Sequence, residues 1–262
     1  MGAAIWSSNL EQINEYPAKS FLAFFKNHGL LNLKQRPQWK TIVGGSKQYV
    51  SELIKPFVNR IHVNTPVVKI KRIANRVEIF SKGRKPEYFD HVILACHSDQ
   101  SLSLLGDSSS DEKEILGSIR YQNNTAVLHC DPATMPKRKN AWSSWNYLVP
   151  EHSSDNVNVT YYMNRLQNLN TKEDYFVSLN PSHEIAQSKI LKTIDYMHPV
   201  FDYPAIDAQK KYMTINGKHN TWYCGAYWRN GFHEDGLWSA LRAVETFNQY
   251  LKNEELYIQR AS

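Results

Sequence analysis

Residues 223–243 read "YCGAYWRNGFHEDGLWSALRA" and bring three glycines, a histidine and two acids into one short stretch. A catalytic triad would need its members to converge on one atom. His233, Glu234 and Asp235 are adjacent, and neighbours in a turn or helix start point in different directions. A metal motif would need two ligands on one helical face, which this run does not offer. An anion cradle needs glycines that allow close backbone approach and the free N–H groups of a helix start, and the stretch has both. Val43-Gly44-Gly45-Ser46 is a second junction of the same kind. Each junction has a plain structural alternative, a tight turn followed by a capped helix. In that case the acids complement the helix dipole, with Asp235 as the N-cap of a helix from Gly236 to Leu251.

Counting settles one class of phosphate loop within these residues. The eleven glycines stand at 2, 29, 44, 45, 83, 106, 117, 217, 225, 231 and 236, and no two are separated by a single residue. The sequence therefore contains neither the G-x-G-x-x-G fingerprint nor a Walker A loop.

The elements around these junctions follow from periodicity. "NLEQINEYPAKSFLAFFKNHGLL" reads as helix, with Pro17 in its first turn, an apolar face of Phe21, Leu22, Phe24 and Phe25, and Gly29 as the stop. "TIVGGSKQYVSELIKPF" reads as a short β-branched run, two glycines and a helix that ends by Lys55, because Pro56 follows. From Ile61 the period becomes two, and "IHV", "PVVKIKR", "NRVEIFS" and "DHVILAC" are expected strands. "GDSSSDEKE" is the most polar segment and the expected boundary. Beyond it "NNTAVLHCD", "AWSSWNYLV", "VNVTYYMN" and "NTWYCGA" read as strands, with a mixed region from Lys172 to Met197.

Composition narrows the function classes. A chain of 262 residues with 42% hydrophobic and 21% charged residues can build a real core and shows none of the biases of disorder. The net charge of +6 has one tight basic run, Lys137-Arg138-Lys139, and no accompanying recognition motif, so no nucleic-acid role is expected. Cys96, Cys130 and Cys224 are odd in number and far apart, which fits reduced thiols in the cytoplasm better than a disulfide framework or zinc site. No apolar run approaches the roughly 18 residues of a membrane span. "MGAAIWSSNLEQ" has no basic region leading into an apolar one, so no signal peptide is expected, and its match to a myristoylation pattern covers only the first positions.

Taken in order, "IVGGSKQYVSELI", "NTPVVKI", "DHVILAC" and "WYCGAYWRNGFHEDGLWSALRA" resemble the second half of flavin-containing amine oxidase family proteins. "MGAAIWSS", "FFKNHGLL", "RPQWKTIVGGS", "MNRLQ" and "GFHEDGL" are similar to a branch of predicted NAD/FAD-binding proteins, itself similar to the flavin-like domain fused to some plant cyclopropane-fatty-acid synthases. The resemblance implies a mixed α/β (α+β) fold: an incomplete FAD-binding Rossmann-type domain plus a substrate domain with a mostly antiparallel sheet. Its implied divisions are 1–40 as a helical segment of the substrate domain, 41–105 as part of the FAD domain, 106–210 as the substrate-type domain and 211–262 as the last FAD-domain strand and helix.

The resemblance also implies site residues. Val67 matches the position whose backbone meets the adenine of FAD. Gly225 and Ala226 match the end of the last FAD-domain strand near the pyrophosphate and ribityl chain. Phe232 matches an aromatic beside the flavin ring, with His233 and Glu234 facing its pyrimidine edge, where a helix start would stabilise negative charge developing on reduction.

Two departures accompany these matches. Relatives begin with a βαβ unit carrying G-x-G-x-x-G, and this sequence is expected to start after it, with Met1 matching an internal methionine. Family amine oxidases place a lysine on the strand that here reads "NNTAVLHCD", with Asn124 or Thr125 at the matching place. That points away from amine oxidation and toward another flavin reaction on an apolar or lipid-like substrate. Trp142, Trp145, Tyr147, Tyr161 and Tyr162 are candidates for its pocket wall, with core packing as the alternative. The competing reading is a flavoprotein fragment that binds no flavin and serves as an interaction module. A homodimer is compatible with either.

Overall fold

The structure, a computed structural model, describes residues 2–6, 8, 11–34, 37–38, 40–148, 158–181 and 184–261. The expected helix entry at Asn9-Leu10, the strand ends at Val149 and Val157, and Met1 and Ser262 lie outside the described residues. The helices are α1 (Gly2–Ile5), α2 (Ala18–Asn27), α3 (Lys47–Ile54), α4 (Ser98–Leu104), α5 (Ser110–Gly117), α6 (Met163–Leu166), α7 (Tyr203–Lys210), α8 (Tyr212–Ile215) and α9 (His233–Ala261). The strands are β1 (Val67–Ile73), β2 (Arg76–Ser81), β3 (Glu87–Phe89), β4 (Val92–Leu94), β5 (Tyr121–His129), β6 (Trp145–Leu148), β7 (Asn158–Tyr162), β8 (Phe176–Leu179), β9 (Ile190–Pro199) and β10 (Thr221–Tyr223). The chain is a mixed α/β fold with antiparallel sheets, as expected. It divides into two compact units, Met1–Ile61 with Gln122–His198, and His62–Tyr121 with Pro199–Ser262.

The first unit is built on a five-stranded sheet ordered β6-β7-β8-β5-β9. Trp145 pairs with Tyr161, and Val159 with Leu179. Its interior carries a neutral polar chain. The backbone N–H of Asp131 donates to His129 Nδ1 at 3.1 Å, which leaves the ring proton on Nε2, 2.9 Å from Ser178 Oγ. Ser178 Oγ in turn lies 2.7 Å from Thr160 Oγ1. All three side chains are buried, and burial pushes the His129 imidazole below its usual range. With this tautomer His129 cannot take a proton from Ser178, so the pair is a sheet-spanning lock and not a nucleophile with its base.

Near the chain start, Trp6 packs against Tyr16 at 4.4 Å between centroids and against Phe24 at 4.9 Å, while Phe21 stacks on Phe25 at 4.3 Å. This aromatic cluster holds α2 by the apolar face its spacing announced. Gly29 ends the helix region at φ 64°, and a Cβ there would stand 2.7 Å from the Pro37 ring.

The second unit combines the antiparallel meander β1-β2-β3 with β10 and β4 in parallel. Its core joins Ile70 and Val77 of the meander, Ile115 and Leu116 of α5, Tyr212 and Ile215 of α8, and Tyr223 of β10. Each such buried side chain contributes about 1.5–3 kcal/mol. A second cluster places Trp222 against Ala243 and Phe247 of α9.

Several expectations are corrected here. "IHV" is not a strand: a turn follows it, with Asn64 at φ 55° and Thr65 Oγ1 donating to the Val63 carbonyl at 3.0 Å. "GDSSSDEKE" lies inside the second unit, where Ser109 caps α5 in a reciprocal box with Glu112. The mixed region holds β8 and most of β9, and β3 was not anticipated.

Candidate functional site

The candidate stretch is delivered by β10, whose Thr221, Trp222 and Tyr223 are all buried and run parallel to Val92, Ile93 and Leu94. The strand is anchored from below by charge. The Tyr223 hydroxyl donates to Glu112 Oε1 at 2.6 Å, while Arg72 Nη1 and Nη2 donate to the two Glu112 oxygens at 2.5 and 2.9 Å. Arg72 Nε also donates to Asp107 at 3.1 Å. Burial alone would raise the Glu112 carboxyl, but hydrogen bonds from Arg72, Tyr223 and the Ser109 N–H bring it from 4.5 down to about 2. Burial and the adjacent Glu112 carboxylate push the Tyr223 phenol well above its ordinary range.

Past the strand, Cys224 N–H donates to the Leu94 carbonyl at 3.0 Å and the chain turns at Gly225. Gly225 is extended, with φ 160°, a conformation open to any residue. Its glycine is required by contact instead: a Cβ would stand 2.4 Å from a Tyr227 ring carbon. The Gly225 N–H donates to Ser239 Oγ at 2.8 Å, and its carbonyl accepts from Trp228 N–H at 3.2 Å. Ala226 opens a 3-10 turn to Trp228, its carbonyl accepting from the N–H groups of Arg229 and Gly231, both at 3.1 Å. Gly231 has φ 92°, and a Cβ there would press on the Phe201 ring at 3.1 Å.

The helix that follows begins at His233, three residues before the expected start at Gly236. Asp235 is therefore not the N-cap. It sits in the first turn and reaches back, its Oδ2 accepting the Phe232 N–H at 3.0 Å. It is buried, with Arg229 Nε 3.6 Å from Oδ1. Its backward-reaching carboxylate is half of a capping box. Phe232 is 36% exposed, and His233 and Glu234 are also exposed on this turn.

Beside this turn lies a stack that the sequence reading missed. Arg229 lies over the Trp238 ring at 5.3 Å, and Arg242 lies over Trp238 at 4.9 Å and over Tyr212 at 4.7 Å. Only the spacing of Trp238 and Arg242, four apart on one helix, hinted at it. The two guanidiniums place positive charge next to a helix start that carries Glu234 and Asp235.

The remaining candidates fall elsewhere. Val67 opens β1, is 36% exposed, and precedes a register irregularity at Val67/Lys69. The five aromatics belong to the first unit, but they do not form one wall. Trp145 and Tyr161 meet edge to face at 5.4 Å, and strand alternation puts Tyr147 on their face. Trp142 and Tyr162 meet at 5.3 Å and both pack on Phe176. That second group is tied down: Tyr162 OH donates to Asp174 at 2.6 Å and Trp142 Nε1 to the Pro136 carbonyl at 2.8 Å. At the position compared with the family lysine, Asn124 is 2% exposed and its Oδ1 accepts from Asn180 Nδ2 at 2.7 Å, while Thr125 Oγ1 donates to Asp195.

A parallel strand pair, a glycine exit and a helix start beside a meander, together with an antiparallel sheet, make an amine oxidase-like fold. Solved structures bear this out at low identity. Cyclohexylamine oxidase from Brevibacterium oxydans IH-35A is 10% identical with a TM-score of 0.64, over 95% of this chain and 63% of that one. The CLA-producing fatty acid isomerase from P. acnes is 16% identical with a TM-score of 0.55, over 78% and 52%. Wild-type putrescine oxidase bound to putrescine is 11% identical with a TM-score of 0.51, over 79% and 53%. The chain thus spans between about half and five-eighths of the length of these structures. No protein-family model and no curated protein matches it.

Fit to a flavin can be judged group by group. The Gly225 N–H is consumed by Ser239 and the Phe232 N–H by Asp235, so neither is a phosphate donor. The exposed first turn with the Phe232 ring does suit the electron-rich edge of a flavin.

Proposed function

We infer that the chain works as an FAD-dependent oxidoreductase of the amine-oxidase type, with hydride transfer between flavin and an apolar or lipid-like substrate. The observation that carries this reading is the shared fold over 95% of the chain with cyclohexylamine oxidase. The second unit supplies the cofactor layer and the first the substrate sheet. Bound FAD supplies the two-electron chemistry. Phe232 would support the ring, the His233 and Glu234 backbone would lie toward its pyrimidine edge, Val67 would meet the adenine, and Gly225 and Ala226 would shape the wall along the chain between them. Gly225 acts there by its lack of a side chain. The Arg229 and Arg242 guanidiniums offset the acids at the helix start and keep its field favourable to an anionic ring edge.

Two observations favour a lipid-like over an amine substrate. Asn124 and Thr125, either of which matches the place of the family lysine by resemblance, are bonded to Asn180 and Asp195, and one structural relative is a fatty acid isomerase. Trp145, Tyr147 and Tyr161, which share a sheet face, are the better candidates for its pocket than Trp142 and Tyr162. Three free cysteines fit a cytoplasmic setting, and no described helix is long and apolar enough to cross a membrane. The exposed stripe of Leu237, Leu241 and Val244 on α9 supports a homodimer.

The test is anaerobic reduction of the FAD-loaded chain. Long-chain fatty acids or their esters should bleach the flavin band or be isomerised without net bleaching, whereas primary amines should do neither. Bleaching by amines alone would overturn the substrate reading.

A further inference from the structure

Within the second unit, the meander β1-β2-β3 turns one face to the core and the other outward. Ile70, Val77 and Ile79 pack inward, and the Arg72 side chain is buried with them, so strand alternation puts Lys71, Ile73, Arg76 and Glu78 on the outer face. Register then sets their neighbours. Lys71 stands opposite Glu78, Glu78 opposite Tyr88, and Ile73 opposite Arg76. Around the Ala74–Asn75 turn lies a cavity of about 350 Å³, lined by Ile73, Ala74, Asn75, Arg76, Glu78 and Tyr88. That volume is within the range of about 300–1,000 Å³ of small-molecule pockets. The cavity is at the opposite end of β1 from Val67, the position compared with the adenine site of FAD.

Charge and chemistry say what the cavity takes. Residues 67–89 carry seven of the chain's 31 Lys and Arg against two of its 25 acids, Glu78 and Glu87. Only Arg72 is turned inward, to Glu112 and Asp107. Arg76 lines the cavity and Lys71 flanks it, both exposed, and neither forms an ion pair among the described residues. As diagonal neighbours across two strands they are about 7–8 Å apart at the backbone, a span that a phosphate chain bridges. The Tyr88 hydroxyl donates to Glu78 Oε1 at 2.9 Å, which leaves the second Glu78 oxygen to accept from a hydroxyl or amino group. The Tyr88 ring, 58% exposed, and the Ile73 side chain offer apolar surface to a flat ring. A bare phosphate or carboxylate would use the cations alone and be repelled by Glu78. A ligand that uses every group combines an anion, hydroxyl or amino donors and a planar ring, which is the make-up of a nucleoside phosphate.

We propose that this cavity binds a nucleoside di- or triphosphate. The base lies against Tyr88 and Ile73 with Asn75 at its edge, Glu78 accepts from a ribose hydroxyl or base amino group, and the phosphates run between Arg76 and Lys71. The site is separate from the position proposed for flavin and stands with or without it.

Isothermal titration of the full chain with ATP in magnesium-free buffer tests it. ATP should bind, and more tightly than inorganic triphosphate, which has the charge but no ring. Arg76→Glu should weaken ATP binding roughly tenfold or more, through the loss of a charge-assisted contact. Tyr88→Ala should weaken it by about fivefold or more, and should affect inorganic triphosphate far less. Lys113→Glu, the same change of charge at an exposed position of α5, should bind ATP like the wild type. No ATP binding by folded wild-type protein would overturn the proposal. So would ATP binding that Arg76→Glu and Tyr88→Ala leave unchanged, because the nucleotide would then sit elsewhere. Inorganic triphosphate binding as tightly as ATP would overturn it too, since the face would then read charge alone.

Discussion

The two glycine-bearing helix starts share one sequence grammar and meet opposite fates. At Ile42–Gly45 the turn needs Gly44 for its positive φ, and the helix beyond it buries nothing. At Gly225–Gly231 the backbone is drawn inward: the Gly225 N–H goes to Ser239, the Phe232 N–H to Asp235, and the strand before it is held by the buried Arg72–Glu112–Tyr223 network. A glycine before a helix therefore says little about ligands until the destinations of the neighbouring N–H groups are known. The first start leads into a helix with no buried side chain, and the second into an exposed turn held by a buried network.

Breaking the rigid side should cost most. Glu112→Ala takes the acceptor from the buried Tyr223 hydroxyl and leaves the Arg72 guanidinium only Asp107, and is expected to destabilise the second unit by about 3–5 kcal/mol in urea unfolding. Glu112→Gln, which keeps an acceptor, should cost less.

Gly225→Ala should come next, at about 1–3 kcal/mol, because the added Cβ runs into the Tyr227 ring. Measured without flavin, this loss separates a packing glycine from one reserved for a ligand, which would leave apo stability intact.

Acid should then separate the two units. His129 has a folded value below 6.5, so the stability it contributes is present above about pH 6.5 and falls away as pH drops below it. Glu112, lowered from 4.5 to about 2, keeps its contribution until pH falls below about 4.5 and loses it progressively toward 2. Near-neutral acidification should loosen the first unit's sheet before the second unit's anchor, a sequence that hydrogen exchange at stepped pH would resolve. His129→Gln should remove the upper window and leave the lower one.

The smallest effect belongs to the exposed start. Gly44→Ala should cost about 1 kcal/mol through its positive φ, and leave the second unit's exchange protection untouched.

Much of the fold was legible where a single period ran long enough. "PVVKIKR" and "NRVEIFS" became β1 and β2 because alternation over six or seven residues has one reading, and α2 kept its aromatic face. β8 escaped because Phe176–Leu179 is only four residues long, too short to show a period. Arg72 and Glu112 are 40 positions apart, and no local pattern joins them. At the candidate site the sequence located the exposed turn through Phe232, His233 and Glu234. It misplaced the cap at Asp235 and gave one shared role to five aromatics that strand alternation divides between two faces. It could not show that α3, with a regular apolar spacing, would hold no buried side chain.

Flavin retention tests the account most directly. Purified chain incubated with excess FAD and then desalted should keep a stoichiometric flavin spectrum with altered fluorescence. Phe232→Ala should lose most of it, while Trp142→Ala, in the tied-down aromatic group, should not. A folded wild-type chain that emerges colourless would contradict the flavoenzyme reading and leave the chain as an interaction module.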